Sequence, residues 1–132
     1  MFLLIDNSVF PEIKLYLYDG QNWEKKTYKA NRRDNPLLKF VDGFLEVSKL
    51  SIKDIEGMAV VVGRGSFTST RIATTLANTL IFALKIPAVA VNEVNLERLA
   101  KIFSNKKFKN NKNYLSATYS GKPNINIKTQ EH

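Results

Sequence analysis

Residues 58 to 73 constrain this chain more than any other stretch. The apolar, valine-rich run Met58-Ala59-Val60-Val61-Val62 leads into Gly63-Arg64-Gly65-Ser66-Phe67-Thr68, which is followed by Ser69-Thr70-Arg71-Ile72-Ala73. A buried strand, a glycine-bracketed turn and a helix N-terminus therefore stand in series. That order belongs to α/β architectures of the nucleotide-binding kind. Gly63 and Gly65 permit positive φ and close backbone approach, and Ser66 or Thr68 can accept hydrogen bonds from the unpaired amides of the first helical turn. Such a turn can hold an anion, and it can equally be only a turn. It is no Walker loop, because the Gly-Lys-Ser/Thr ending is missing. It is also an imperfect dinucleotide fingerprint, because Thr68 stands where the third glycine belongs.

With 132 residues, 44% of them hydrophobic, the chain is sized for one domain that buries about two-thirds of the surface of its unfolded state. It contains no cysteine, so neither disulfides nor thiolate metal sites contribute, and a reducing, cytoplasmic interior suits it. Met1 to Ile5 is too short for a signal core and Asp6 interrupts it, so this segment reads as a buried strand. Leu80 to Leu84, an apolar stretch of five residues, cannot span a bilayer, so the chain is expected to be soluble, with no membrane partner. The formal charge of +8 is concentrated late: seven lysines and no acidic residue lie between Lys101 and Gln130. This segment is either a solvated basic tail or a surface for nucleic acid or another polyanion. Its aromatic residues, Phe103, Phe108, Tyr114 and Tyr119, are too sparse for a recognisable single-strand-binding motif.

Along the chain, Phe2 to Ile5, Ile13 to Tyr18 and Trp23 to Tyr28 read as strands, with Asp19-Gly20 turning the second into the third. Asn35 caps a helix that has Pro36 at its first position and runs to about Lys49; its apolar residues cover close to half the circumference. After the short turn Ser51 to Asp54 come the Met58 strand, a helix from about Thr68 to Leu84, a strand at Ala88 to Val91 and a helix from about Asn95 to Ser104. Tyr114 to Tyr119 and Ile125 to Ile127 look like short extended pieces. Right-handed crossovers place the last two strands parallel to the first, giving an α/β fold with a five-stranded mixed sheet of order 3-2-1-4-5 and helices on its faces. This architecture resembles one half of an actin-like (ASKHA, ribonuclease H-like) fold.

The helix after the glycine turn carries one charge, Arg71, between Ser66 and Leu84. Ile72, Ala73, Leu76, Ala77, Leu80, Ile81, Ala83 and Leu84 project to one side, and Thr74, Thr75, Asn78 and Thr79 to the other. A surface helix normally places lysines and glutamates on its outer side. Small uncharged residues beside Phe82 instead suit close approach by another helix, so this side is expected to be a protein interface or to be covered by the chain's own C-terminal segment.

Ile5-Asp6-Asn7-Ser8 after the first strand, together with Gly63, Gly65, Ser66, Phe67, Thr68, Arg71 and Ile72 in register, resembles the TsaB family. That family is the non-catalytic, actin-like partner in threonylcarbamoyladenosine synthesis on tRNA. Arg64, Ser69 and Ala73 depart from its pattern, and the family's second actin-like domain has no counterpart, so the chain reads as a natural truncation: a TsaB-type domain at 1–104 and a basic extension at 105–132. The resemblance implies a scaffold that pairs with a TsaD-like catalytic subunit and works with a TsaE-like ATPase. Phe40, Phe44, Val47, Arg71, Thr74, Thr75, Asn78, Thr79 and Phe82 are expected at the contact, and a homodimer is expected to be open to the isolated chain. Contact with tRNA would be indirect or through the basic segment. Catalytic residues, cofactors and metals are not implied, and the glycoprotease-like label of the fold does not imply proteolysis. The sole histidine is His132, and the paired metal-binding histidines of the catalytic relative have no counterpart. Asp34, Asp42 and Glu46 read as solvated carboxylates. Two rival readings stay open. A phosphate- or nucleotide-binding domain would use Asp6, Ser8, Gly63, Gly65 and Ser66, weakly in the absence of a second lobe, and an RNA-binding protein would use the lysines of residues 101 to 128.

Overall fold

The computed structural model describes residues 1–9, 11–30, 37–62 and 67–109, without the side chains of 67–70. Its elements are β1 (Phe2–Val9), β2 (Glu12–Tyr18), β3 (Trp23–Lys29), α1 (Leu37–Val47), β4 (Gly57–Val61), α2 (Phe67–Leu84), β5 (Ala88–Val91), α3 (Leu96–Phe103) and α4 (Lys106–Lys109). One five-stranded sheet runs β3-β2-β1-β4-β5. The β1–β2 and β2–β3 pairs are antiparallel, and β1–β4 and β4–β5 are parallel. This is the expected actin-like sheet order. Leu3, Leu4 and Ile5 of β1 and Met58, Ala59 and Val60 of β4 are fully buried, as befits central strands covered on both faces. β3 lies at one edge and carries exposed Lys25, Lys26 and Lys29, charges that discourage further strand pairing.

Strand alternation assigns the helices to faces. Leu15, Leu17 and Ile13 share a face with Tyr28, whose ring stacks on Phe40 of α1 at 4.6 Å. α2 packs beside α1 and over β1 and β4. Both crossovers advance across the sheet in the same sense, so right-handedness puts both helices on one side. The opposite face holds Phe2, Tyr18 and Trp23, on which α3 lays Phe103, stacked at 4.6 Å from Phe2. Phe108 of α4 joins this cluster at 5.5 Å from Phe103. Gly57 makes room for it: a Cβ there would meet Phe108 Cε2 at 3.0 Å and Phe2 Cδ2 at 3.1 Å.

Two helices end without glycine. Leu50 N–H donates to Leu45 O at 2.8 Å and Lys49 N–H to Glu46 O at 3.0 Å, with Lys49 at φ 61, a Schellman ending. Lys85, at φ 57, donates to Ile81 O at 2.8 Å just before Pro87. Each non-glycine left-handed residue costs about 1–2 kcal/mol, offset here by pairing of the last carbonyls. The N-terminus of α3 is as expected, with Asn95 Oδ1 accepting from Arg98 N–H at 3.0 Å.

Two elements exceed the sequence reading. β1 continues past Ile5 to Val9, and α4 forms where only a basic extension was expected. Asn105 starts α4 by accepting from Lys107 N–H at 2.7 Å through Oδ1. Because Phe108 is buried, core packing runs past residue 104. The extended pieces expected at 114–119 and 125–127 lie outside the described residues, as do Asn35 and Pro36.

Candidate functional site

The Ile5-Asp6-Asn7-Ser8 motif forms the carboxyl end of β1, where pairing with β2 shifts register between Asp6 and Val9. One residue more on β1 than on β2 makes this a β-bulge. Its geometry comes from the motif itself: Asp6 Oδ1 accepts from Ser8 N–H at 3.1 Å and from Ser8 Oγ at 2.5 Å. Asp6 and Asn7 are buried and Ser8 is half-buried. The structure thus gives Asp6 and Ser8 a local role in ending the strand. Gly63, Gly65 and Ser66, the other members of the expected phosphate cradle, lie outside the described residues. On the same face as Asp6, burial raises the Tyr16 hydroxyl above its ordinary value, and the Asp6 carboxylate adds to the rise. Among the described residues no group of three or more His, Asp or Glu is placed to hold a metal.

The outer side of α2 carries one charge, Arg71, whereas α1 exposes Lys39, Asp42 and Glu46 beside Leu38 and Val47. Between the helices runs a groove of ≈ 650 Å³ lined by Leu37, Leu38, Arg71, Ile72, Thr75, Leu76 and Thr79. Leu38, which lines the groove, is 53% exposed; Phe82 on α2 is 68% exposed, and Val47, on the side of α1 opposite to Leu38, is 64% exposed. Arg71, Thr75 and Thr79 are exposed and Asn78 half-buried; Thr79 Oγ1 satisfies itself by donating to Thr75 O at 2.9 Å.

Two expected contact residues belong elsewhere. Phe44 is 1% exposed and sits in the core with Leu37, Val41 and Leu45, because the stripe of α1 that faces the sheet passes through it. Thr74 is also buried, beside Ala73 and Ala77, and its hydroxyl has no hydrogen-bond partner among the described residues. A polar side chain on the sheet-facing side reflects the 100° step of the helix: position 74 lies nearer to 77 and 81 than to 75 and 79. Phe40 is half-buried against Tyr28. Leu38, Ile72 and Leu76 also line the groove: the sequence reading puts Ile72 and Leu76 on the apolar side of α2, and the wide apolar cover of α1 is the signal for Leu38.

No described helix is long and apolar enough to cross a membrane.

Comparison with known proteins places this geometry. A family model described as TsaD, tRNA N6-adenosine threonylcarbamoyltransferase, matches residues 30–124. Among solved structures, YeaZ from Pseudomonas aeruginosa superposes with a TM-score of 0.61 and 26% identity, over 70% of this chain and 44% of that one. An uncharacterized protein with similarity to peptidase YeaZ, from Pseudomonas aeruginosa, superposes with a TM-score of 0.63 and 22% identity, over 80% of this chain and 49% of its own. The chain spans less than half the length of these structures.

Proposed function

Because the chain belongs to the TsaD family, on the TsaB-like side its motifs resemble, we propose that it is a non-catalytic partner subunit in threonylcarbamoyladenosine synthesis on tRNA. Its α1–α2 surface docks a TsaD-like catalytic subunit in an assembly served by a TsaE-like ATPase, in the cytoplasm. The observation that carries this reading is the α1–α2 groove, lined by Leu37, Leu38, Ile72, Thr75, Leu76 and Thr79 with Arg71 as its one charge, beside exposed Phe82. An exposed apolar patch of this kind is the usual mark of a protein interface.

The residue inventory supports this reading. The chain has one histidine, at its last position, and no cysteine, so neither a histidine-based metal site nor a Cys/His nucleophile pair can be assembled from it. The reading needs no cofactor. Interface residues are Val47, Arg71, Thr75, Asn78, Thr79 and Phe82, flanked by Phe40, with Leu38 added from the groove.

Co-elution on size exclusion with the TsaD-like protein of the same genome tests the proposal. Wild type should elute as a heterodimer. Thr75→Arg, which puts a long cation on the groove wall, and Phe82→Glu should each abolish co-elution without changing the thermal midpoint. Retention of the heterodimer by both variants would remove α1–α2 as the docking surface. A homodimer of the isolated chain that Thr75→Arg dissociates would show the same surface closing on a second copy.

A further inference from the structure

The sheet face opposite α1 and α2 collects lysines from two parts of the chain that are far apart in sequence. Pairing of Tyr18 with Trp23, Tyr16 with Lys25 and Glu12 with Lys29 puts Trp23, Lys25 and Lys29 on one face of β3. The Trp23 and Tyr18 rings reach Phe103 at 6.1 and 6.4 Å, so α3 lies on that same face. α3 and α4 turn Leu99, Phe103 and Phe108 inward and leave Lys101, Lys106 and Lys107 exposed, as are Lys25 and Lys29. Between β2 and the α3–α4 corner lies a groove of ≈ 470 Å³ lined by Tyr18, Ala100, Lys101, Ser104 and Asn105.

Two carboxylates adjoin these five lysines, Glu12 across from Lys29 and Glu97 one helical turn before Lys101. None of them is in an ion pair among the described residues, where Glu12 is paired with Lys14 at 3.6 Å. The carboxylate of Asp19 in the adjoining turn is taken up by the Gln21 and Asn22 amides at 2.8 and 2.7 Å. Lys25 lies 5.7 Å over the Tyr16 ring, which holds its stem along the sheet. From Trp23 to Lys29 the strand covers roughly 20 Å at about 3.3 Å per residue, so the charges form a line rather than a pocket. A linear polyanion matches such a line, and a single small anion does not.

We infer that the face formed by β3, α3 and α4 docks RNA through its backbone phosphates. RNA fits better than an anionic membrane, because Leu38, Val47 and Phe82 sit on α1 and α2 and, among the described residues, Val9 at the bulged end of β1 is the one exposed large apolar side chain in register with this face, whereas a lipid-docking face pairs its cations with several apolar residues that insert. The family's description supplies tRNA as the relevant RNA. The inference concerns a surface separate from the proposed subunit contact and stands without it. Lysines on an edge strand also guard against strand pairing. Lys→Glu preserves that guard while reversing the charge that phosphates require.

The test is fluorescence anisotropy of the full chain with an unmodified tRNA transcript, repeated across a salt series. Lys25→Glu with Lys29→Glu, and separately Lys101→Glu with Lys106→Glu, should each weaken binding by about tenfold or more and flatten the log–log salt dependence by about 0.7–0.9 for each phosphate that is no longer neutralised. Lys25→Gln with Lys29→Gln should give a smaller loss in the same direction at an unchanged thermal midpoint. Unchanged affinity and slope in either Glu pair would overturn the inference. So would a loss seen only when Lys112, Lys122 and Lys128 are replaced, or binding to phosphatidylserine vesicles in a protein that ignores tRNA. The Lys25/Lys29 variant should still co-elute with the TsaD-like subunit, so failure here is distinguishable from failure of the docking proposal.

Discussion

The two faces of the sheet are built from different materials. On one, α1 and α2 cover β1, β2 and β4 mainly with aliphatic side chains, Phe44 and the small Ala73 and Ala77, and the outer side of α2 carries Arg71 as its one charge. On the other, short helices hold a cluster of five rings, Phe2, Tyr18, Trp23, Phe103 and Phe108, and their outer surfaces are lysine-rich. Small helices can bury little area each, and aromatic rings offset this by supplying about 150–250 Å² per side chain. The longer α1 and α2 spread their burial over more residues, with Phe44 the one fully buried ring among their described residues, so more of their outward positions are open to selection for something other than stability. The contrast separates a face whose outer residues suit a protein from one whose outer residues suit a polyanion.

The largest test of this comparison is Phe103→Ala. Its ring has no exposure and touches four others, so its loss should cost about 3–5 kcal/mol, read as a drop in the urea midpoint. An effect below that of an aliphatic truncation such as Leu99→Ala would show that the rings are not the anchor. Next, Gly57→Ala should destabilise by about 1–3 kcal/mol through overpacking, because Phe108 and Phe2 stand 3.0 and 3.1 Å from the new carbon. A neutral result would mean that α4 can shift away freely.

On the α1–α2 side, Phe82→Glu should change stability by no more than about 0.5 kcal/mol, as for other exposed positions, while removing heterodimer co-elution. A large stability loss would instead assign Phe82 to folding.

The smallest effect concerns pH. The folded Tyr16 hydroxyl titrates above its ordinary value, first through burial and then through the Asp6 charge, so in the alkaline window the native state holds a proton that the unfolded state has released. Its contribution is therefore complete below the ordinary tyrosine value of about 10 and is lost as pH rises through the folded value. Tyr16→Phe should flatten the alkaline limb of the stability profile, and Asp6→Asn should move the tyrosinate absorbance step attributable to Tyr16 toward lower pH. An unmoved step would show that the Asp6 charge does not reach the phenol.

How much of this was legible beforehand depended on what kind of signal each residue carries. Strand order followed from periodicity and crossover handedness, since Leu3 to Ile5 and Met58 to Val62 are apolar at every position and Ile13 to Tyr18 alternates. The proposed partner surface is only half legible. Thr74 and Phe44 were assigned by chemical type, one as polar and one as a large ring, whereas helix rotation relative to the sheet buries both. Leu38 is not distinguished from its neighbours because an apolar residue in an apolar helix looks the same in sequence whether it faces the core or the groove. α4 was missed because Lys106-Lys107-Phe108-Lys109 reads as a basic tail until Gly57 is seen to leave room for the ring.

By itself the sequence determined the architecture: local apolar periodicity, turn chemistry at Asp19-Gly20 and cap chemistry at Asn95 are short-range properties, and the family motifs at Ile5 to Ser8 and Gly63 to Ile72 are strings of residues. Tertiary structure alone decided which side of α2 meets the sheet, that Asp6 and Ser8 close a bulge on each other, and that lysines from β3 and α4, about eighty residues apart, share a face. These are consequences of packing and register, and packing depends on shapes that the linear order does not contain.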